Sequence, residues 1–137
     1  VDLRITAETQ IRAGSNEFKK FTLKNGGELS SGDKFRIITN IDKNAFVYVI
    51  SKDSSGVISL INKEPISAVN SITLPSNNEP PFVLDSNKGN EEIHIIASKR
   101  QITDIDDRIE KLRKSGIINI NKIFKKSKIE SFKFKHN

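Results

Sequence analysis

Cysteine is absent from the sequence, and histidine occurs only at His94 and His136. The missing cysteine excludes thiol catalysis, thiolate zinc clusters and disulfide frameworks; it leaves the compartment open, because many exported domains also lack it. No apolar run approaches the roughly 18 residues that a membrane-spanning helix needs. Neither a methionine nor an apolar leader stands at Val1, which suggests a trimmed or processed chain; a removed signal peptide or lipoprotein anchor would leave no trace in this sequence. Gly-rich phosphate loops are missing too: Gly26-Gly27 is an isolated pair without a following Lys-Ser/Thr element, so neither nucleotide nor other cofactor is expected.

What is present reads as one folded domain. At 137 residues the chain is long enough to bury a core without staples, and 35% hydrophobic with 29% charged residues is ordinary for a globular protein and unlike disorder. The formal charge of +6 is unevenly spread: residues 1–102 hold 13 basic and 12 acidic side chains, residues 103–137 hold 10 and 5. The basicity belongs to the C-terminal part.

From Asp2 to Arg12 apolar and polar residues alternate, with Leu3, Ile5 and Ile11 on one side, as in a half-buried strand. After a turn at Gly14-Ser15-Asn16, Phe18, Phe21 and Leu23 form a less regular apolar segment that stops at Asn25-Gly26-Gly27. Gly32-Asp33 is expected to turn the chain into a strand over Lys34 to Asn40. Ala45 to Ser51 is a continuous β-branched and aromatic run suited to a central strand covered on both faces. Asp53-Ser54-Ser55-Gly56 should return it as a hairpin into Val57 to Ile61. Further strands are expected at Ser71 to Leu74, Phe82 to Leu84 and Glu92 to Ser98, with Pro65, Pro75, Pro80 and Pro81 in the loops. About eight short strands argue for an antiparallel β-sandwich, Ig-like or jelly-roll-like, over residues 1–102.

Then the period changes. Ile105, Ile109 and Leu112 fall at i, i+4 and i+7; Asp104, Asp106 and Asp107 crowd the start, Lys111, Arg113 and Lys114 the end, and Gly116 follows. These are the start and stop signals of a helix. About three turns are marginal alone in water, so the stripe should dock on the sandwich or on a partner. Ile117 to Ile120 and Glu130 to Lys135 read as strands, the latter with Phe132 and Phe134 facing one way and Lys133 and Lys135 the other. Residues 103–137 are thus expected as a helix plus lysine-rich extension on the same domain.

Residues from Leu29 to about Ile102 resemble the bacterial domain of unknown function 4384 family. The matching pieces are Leu29-Ser30-Ser31-Gly32-Asp33-Lys34-Phe35-Arg36-Ile37, Asp42 to Val49, Asp53 with Gly56 to Asn62, Ile72-Thr73-Leu74-Pro75, and Gly89 to Ser98. In place of the family's Phe-Pro-Asn stands Ile61-Asn62-Lys63, and its Gly before the Leu-Pro strand is missing near Ala68 to Asn70, so the loop after the hairpin is expected to differ. The resemblance implies a β-sandwich module joined to other domains in bacterial envelope, secretion or signalling proteins, without enzymatic activity.

Chemistry-bearing patterns are few. His94, between Ile93 and Ile95, is expected to face solvent in a structural role. A Ser-His-Asp triad has no nucleophile elbow to announce it, and no catalytic residue is assigned. Asp104, Asp106 and Asp107 fit capping and dipole complementation better than a cation site, and the Asp53 loop is too short for calcium, so no metal is expected. Tyr48 should be core, its hydroxyl tied to backbone. Gly32, Asp33, Tyr48, Gly56, Pro75 and Gly116 are read as structural.

The feature with functional promise is Lys122, Lys125, Lys126, Lys128, Lys133 and Lys135, interleaved with Phe124, Phe132 and Phe134. Such lysines suit an acidic protein face or a polyanion, or they protect an edge strand from aggregation. The set has no arginine, tyrosine or tryptophan, which argues against nucleic acid. The expected function is a non-catalytic interaction or assembly module, periplasmic or envelope-associated, binding a protein partner; polyanion binding is the alternative.

Overall fold

The computed structural model describes residues 5–14, 21–23, 25–61, 66–76 and 78–137. Leu3, Phe18, the turn at Ser15-Asn16 and the loop at Asn62-Lys63 therefore lie outside the described residues, as do the side chains of the first strand.

The fold is mainly β and sandwich-like. Its strands are β1 (Ile5–Gly14), β2 (Phe21–Leu23), β3 (Glu28–Leu29), β4 (Lys34–Lys52), β5 (Ile58–Leu60), β6 (Ile66–Leu74), β7 (Phe82–Val83), β8 (Gly89–Ser98) and β9 (Lys128–His136). Hydrogen bonding runs β2-β1-β4-β8-β9-β3, with β5, β6 and β7 also on β4. Among the described residues only β3 and β9 pair in parallel; the other pairings are antiparallel.

The two strands expected over Lys34 to Asn40 and Ala45 to Ser51 are one strand of 19 residues. The strand runs on through the polar Asp42-Lys43-Asn44: register against β6 shifts between Ile41 and Ala45, an irregularity that lets the strand bend. The first half of β4 pairs with β1 and the second half with β8, so β4 passes from one sheet to the other.

Period-two burial on this bent strand builds two cores. Phe35, Ile37, Ile41, Ala45, Val47 and Val49 face the first, closed by Ile93, Ile95 and Ala97 of β8 and Phe132 and Phe134 of β9. Tyr48 and Ile50 face the other way, with Ile96, into a second core. The uninterrupted apolar run at 45–50 follows from this double burial.

Helix α1 (Ile105–Ser115) closes the second core with Ile109 and Leu112, as its stripe requires. Asp104 at its start makes no capping hydrogen bond; its carboxylate pairs with Arg108 Nε at 3.0 Å instead. Gly116 ends the helix at φ +95°, a value side chains rarely adopt, with its amide bonded to the Leu112 carbonyl at 2.7 Å. The strand expected at Ile117 to Ile120 is instead a 3-10 turn (Ile117–Asn119) leading into α2 (Ile120–Ile123). Ile117, Ile120, Ile123 and Phe124 recur every three or four residues and pack on the second core, so helical spacing overrides β-branched content. Among the described residues no helix is long and apolar enough to cross a membrane.

Candidate functional site

All six singled-out lysines are exposed, but they do not form one patch. Lys122, Lys125, Lys126 and Lys128 surround α2 and the turn into β9. Lys133 and Lys135 lie toward the far end of β9, about 17 Å of strand rise beyond Lys128 and, by alternation, on the other face. There Lys133 Nζ stands 3.7 Å from Glu92, which also faces Lys52 at 3.6 Å. That end of β9 is no open edge: Lys133 N donates to Asn25 Oδ1 (2.7 Å), Gly26 N to Lys133 O (2.7 Å) and Lys135 N to Gly27 O (2.8 Å).

The first four lysines belong to a wider basic stretch of the chain. From Lys99 to Lys128 the chain carries ten basic and four acidic side chains. Two of those acids are engaged locally, Asp104 with Arg108 and Glu110 with Arg113. An open groove of about 340 Å³ at the junction of β8 and the helical layer is lined by Lys99, Arg100, Arg108 and Lys126 with Asp104. The arginines of the helix are partly committed inward: Arg113 Nε donates to Ile58 O (3.0 Å), and the Arg108 guanidinium lies 5.5 Å from the Phe124 ring centre.

His94, expected at the surface, is only 4% exposed. It does face away from the flanking isoleucines, but β4 and β9 flank β8 on either side. Its Nδ1 lies 2.7 Å from Ser131 Oγ, while Nε2 finds no hydrogen-bond partner among the described residues; Glu92 Oε1 is 3.7 Å away. Burial holds its pKa below the ordinary histidine value, opposed by Glu92 and reinforced by Lys133 and Lys52.

A second constellation escaped the sequence analysis. Glu91 precedes Ile93 by two residues and His136 follows Phe134 by two, so period-two alternation carries both onto the inward face at one end of the first core. Asp85 follows the buried Leu84. Their ligand atoms lie within 4.8 Å of one another. Burial raises the Glu91 pKa above the usual carboxylate value; the His136 hydrogen bond and charge oppose this, and Asp53 and Asp85 add to it. Gly89, which opens β8 beside this cluster, adopts φ +135°, and a Cβ there would come 2.8 Å from Ser54 Cβ, so the approach of the two loops requires glycine.

Ser31 Oγ sits 2.8 Å from His136 Nε2, and His136 Nδ1 sits 3.4 Å from Glu91 Oε1. That is the order of a Ser-His-Glu triad. The amides beside the serine are nevertheless consumed: Ser31 N donates to Asn137 O (3.1 Å), Gly32 N to Leu84 O (3.0 Å) and Asp33 N to Ser30 O (3.0 Å). No donor of that turn is left to hold an oxyanion. Glu91 borders two clefts, of about 150 and 790 Å³, yet neither is lined by Ser31 or His136.

The residues read as structural sit as follows. Asp33 Oδ2 accepts from Ser30 N (2.8 Å) in the turn at Gly32. Asp53 Oδ1 accepts from Ser55 N and Val57 N (both 2.9 Å), closing the hairpin at Gly56. Tyr48 is buried, its hydroxyl bonded to backbone. The Pro75 carbonyl accepts from Arg36 Nη1 (3.0 Å), which also reaches Ser76 O (2.7 Å), a clamp with no sequence signal.

The stretch from β3 through the long strand and its hairpin to β8 decides the family. The chain belongs to the domain of unknown function (DUF4384) family, matching it over residues 28–101. No curated protein and no solved structure matches the chain. The DUF4384 segment supplies β3 to β8, and with them Ser31, Asp85 and Glu91. His136, the helical layer and β9 come from beyond it.

Proposed function

We propose that this DUF4384 domain is a non-catalytic docking module that holds an acidic face of a partner protein, in a bacterial envelope or secretion-associated assembly in the periplasm or at the envelope. The observation that carries the reading is the basic groove at Lys99, Arg100, Arg108 and Lys126, formed by a stretch of chain, residues 99–128, with ten basic and four acidic side chains. Complementary potential steers encounter and fixes register, and exposed lysines at its rim speed association more than they tighten it. The consumed amides around Ser31 support the non-catalytic part, since a nucleophile there would have no oxyanion donors. A protein face is preferred over nucleic acid because Arg108 and Arg113 already spend donors on internal groups, leaving few bidentate phosphate grips. The setting rests on the family resemblance.

The test is site-specific photo-crosslinking from Lys122 in the native host, followed by binding of the captured protein to wild type and to a Lys99→Glu, Arg100→Glu, Lys126→Glu variant. The reading expects capture of an acidic protein, salt-sensitive affinity and loss of at least about tenfold in the folded variant. Equal affinity of the variant overturns it, as does retardation of DNA or RNA stronger than binding of the captured protein.

A further inference from the structure

Three separate segments converge where β8 begins and β9 ends. Asp85 comes from the loop after β7, Glu91 from β8 and His136 from the last position of β9, and their oxygen and nitrogen atoms lie within 4.8 Å of one another. Each is placed by independent structure: Glu91 by pairing of β8 with β9, Asp85 by the bond from Asn87 N to its Oδ1 (2.8 Å), and His136 by strand pairing on both sides.

His136 is 1% exposed, so its ring is held firmly. In the tautomer whose proton sits on Nε2, that N–H donates to Ser31 Oγ at 2.8 Å, and Nδ1, 3.4 Å from Glu91 Oε1, has a lone pair free to take a cation. That separation is long for a charge-assisted N–H···O bond, normally about 2.7–2.9 Å. For this pair it fits two ligands sharing one ion, since donors about 2.0–2.2 Å from tetrahedral zinc stand about 3.3–3.6 Å apart; Asp85, exposed and part of a group bounded at 4.8 Å, reaches the same ion by a side-chain rotation. A metal-binding histidine also characteristically donates its other N–H to a neighbour that fixes the ring, the part Ser31 takes here.

The geometry points to a divalent-cation site of the zinc class, held by His136 Nδ1, Glu91 and Asp85 with water completing the coordination. Imidazole nitrogen among the ligands and only three protein donors favour a borderline ion over calcium, which takes six to eight oxygens. Two carboxylates match the charge of the ion. Without a cation the exposed Asp85 and the half-buried Asp53 repel half-buried Glu91. A bound ion fastens the end of β9 to the DUF4384 segment, so its role is structural.

Untagged full chain, stripped with chelator, is titrated with Zn²⁺ against a chromophoric competitor, and separately with Co²⁺ while the visible d–d bands are recorded. The site predicts one equivalent bound with a rise in Tm, and a loss of affinity of about tenfold or more in Glu91→Gln and in Asp85→Asn, both close in shape to wild type and checked for folding by circular dichroism. Ser31→Ala should weaken binding about tenfold, and His94→Gln should leave it unchanged. Failure to bind an equivalent of Zn²⁺, or binding indifferent to both carboxylate substitutions, overturns the site. A Tm rise with Ca²⁺ equal to that with Zn²⁺ overturns the zinc-class assignment.

Discussion

The Tyr48 hydroxyl accepts a hydrogen bond from the Ile102 amide at 2.8 Å, across 54 residues of sequence. Tyr48 lies in the second half of β4, and Ile102 in the segment that leads from β8 into the helical layer. Both are buried, so water cannot replace either partner.

Tyr48→Phe leaves that amide buried and unpaired at unchanged shape. A loss of about 1–3 kcal/mol is expected, read as a lower urea midpoint with unaltered slope.

The helical layer is predicted to be part of the cooperative fold. Leu112→Ala should cost about 2–5 kcal/mol and Phe124→Ala about 3–5 kcal/mol, since each side chain is fully buried in the second core. Ile118, 86% exposed in the 3-10 turn, is the control: Ile118→Ala should shift stability by no more than about 0.5 kcal/mol. A folded sheet that keeps wild-type stability after Leu112→Ala would show the helix to be a loose appendage.

His94 makes stability depend on pH. Its folded pKa is depressed below 6.5, mainly by burial, so between 6.5 and the folded value the unfolded chain binds more protons. Its contribution is present above pH 6.5 and is lost as pH falls toward the folded value. Denaturant midpoints measured from pH 7.5 to 5 should therefore fall, and fall less in His94→Gln.

Glu91 acts with the opposite sign. Its folded pKa is raised above 4.5, chiefly by burial, so the folded state holds the proton more tightly and the group disfavours folding once ionised. In chelator, Glu91→Gln should be more stable than wild type at pH 7, with the difference shrinking as pH falls through the folded value toward 4.5. A variant less stable at pH 7 would show that the bond to His136 outweighs the cost of burial.

Interactions local in the chain were legible from residue order alone. Alternation at Phe35 and Ile37, the β-rich run at 45–50, the Asp53-Gly56 hairpin, the helix with its Gly116 stop and the buried Tyr48 each depend on neighbours a few positions away, where backbone period and turn chemistry decide. Tertiary packing decided the rest. Asp42-Lys43-Asn44 reads equally as a turn or a bulge until β6 pairs across it. His94 became interior only when β4 and β9 flanked β8 and set Ser131, Glu92, Lys133 and Lys52 around it. Glu91 and His136 are separated by 45 positions, and Ser31 and His136 by 105, so no local pattern joins them. Their meeting follows from the order of β8, β9 and β3 in the sheet, which buries His136 between half-buried Glu91 and exposed Ser31.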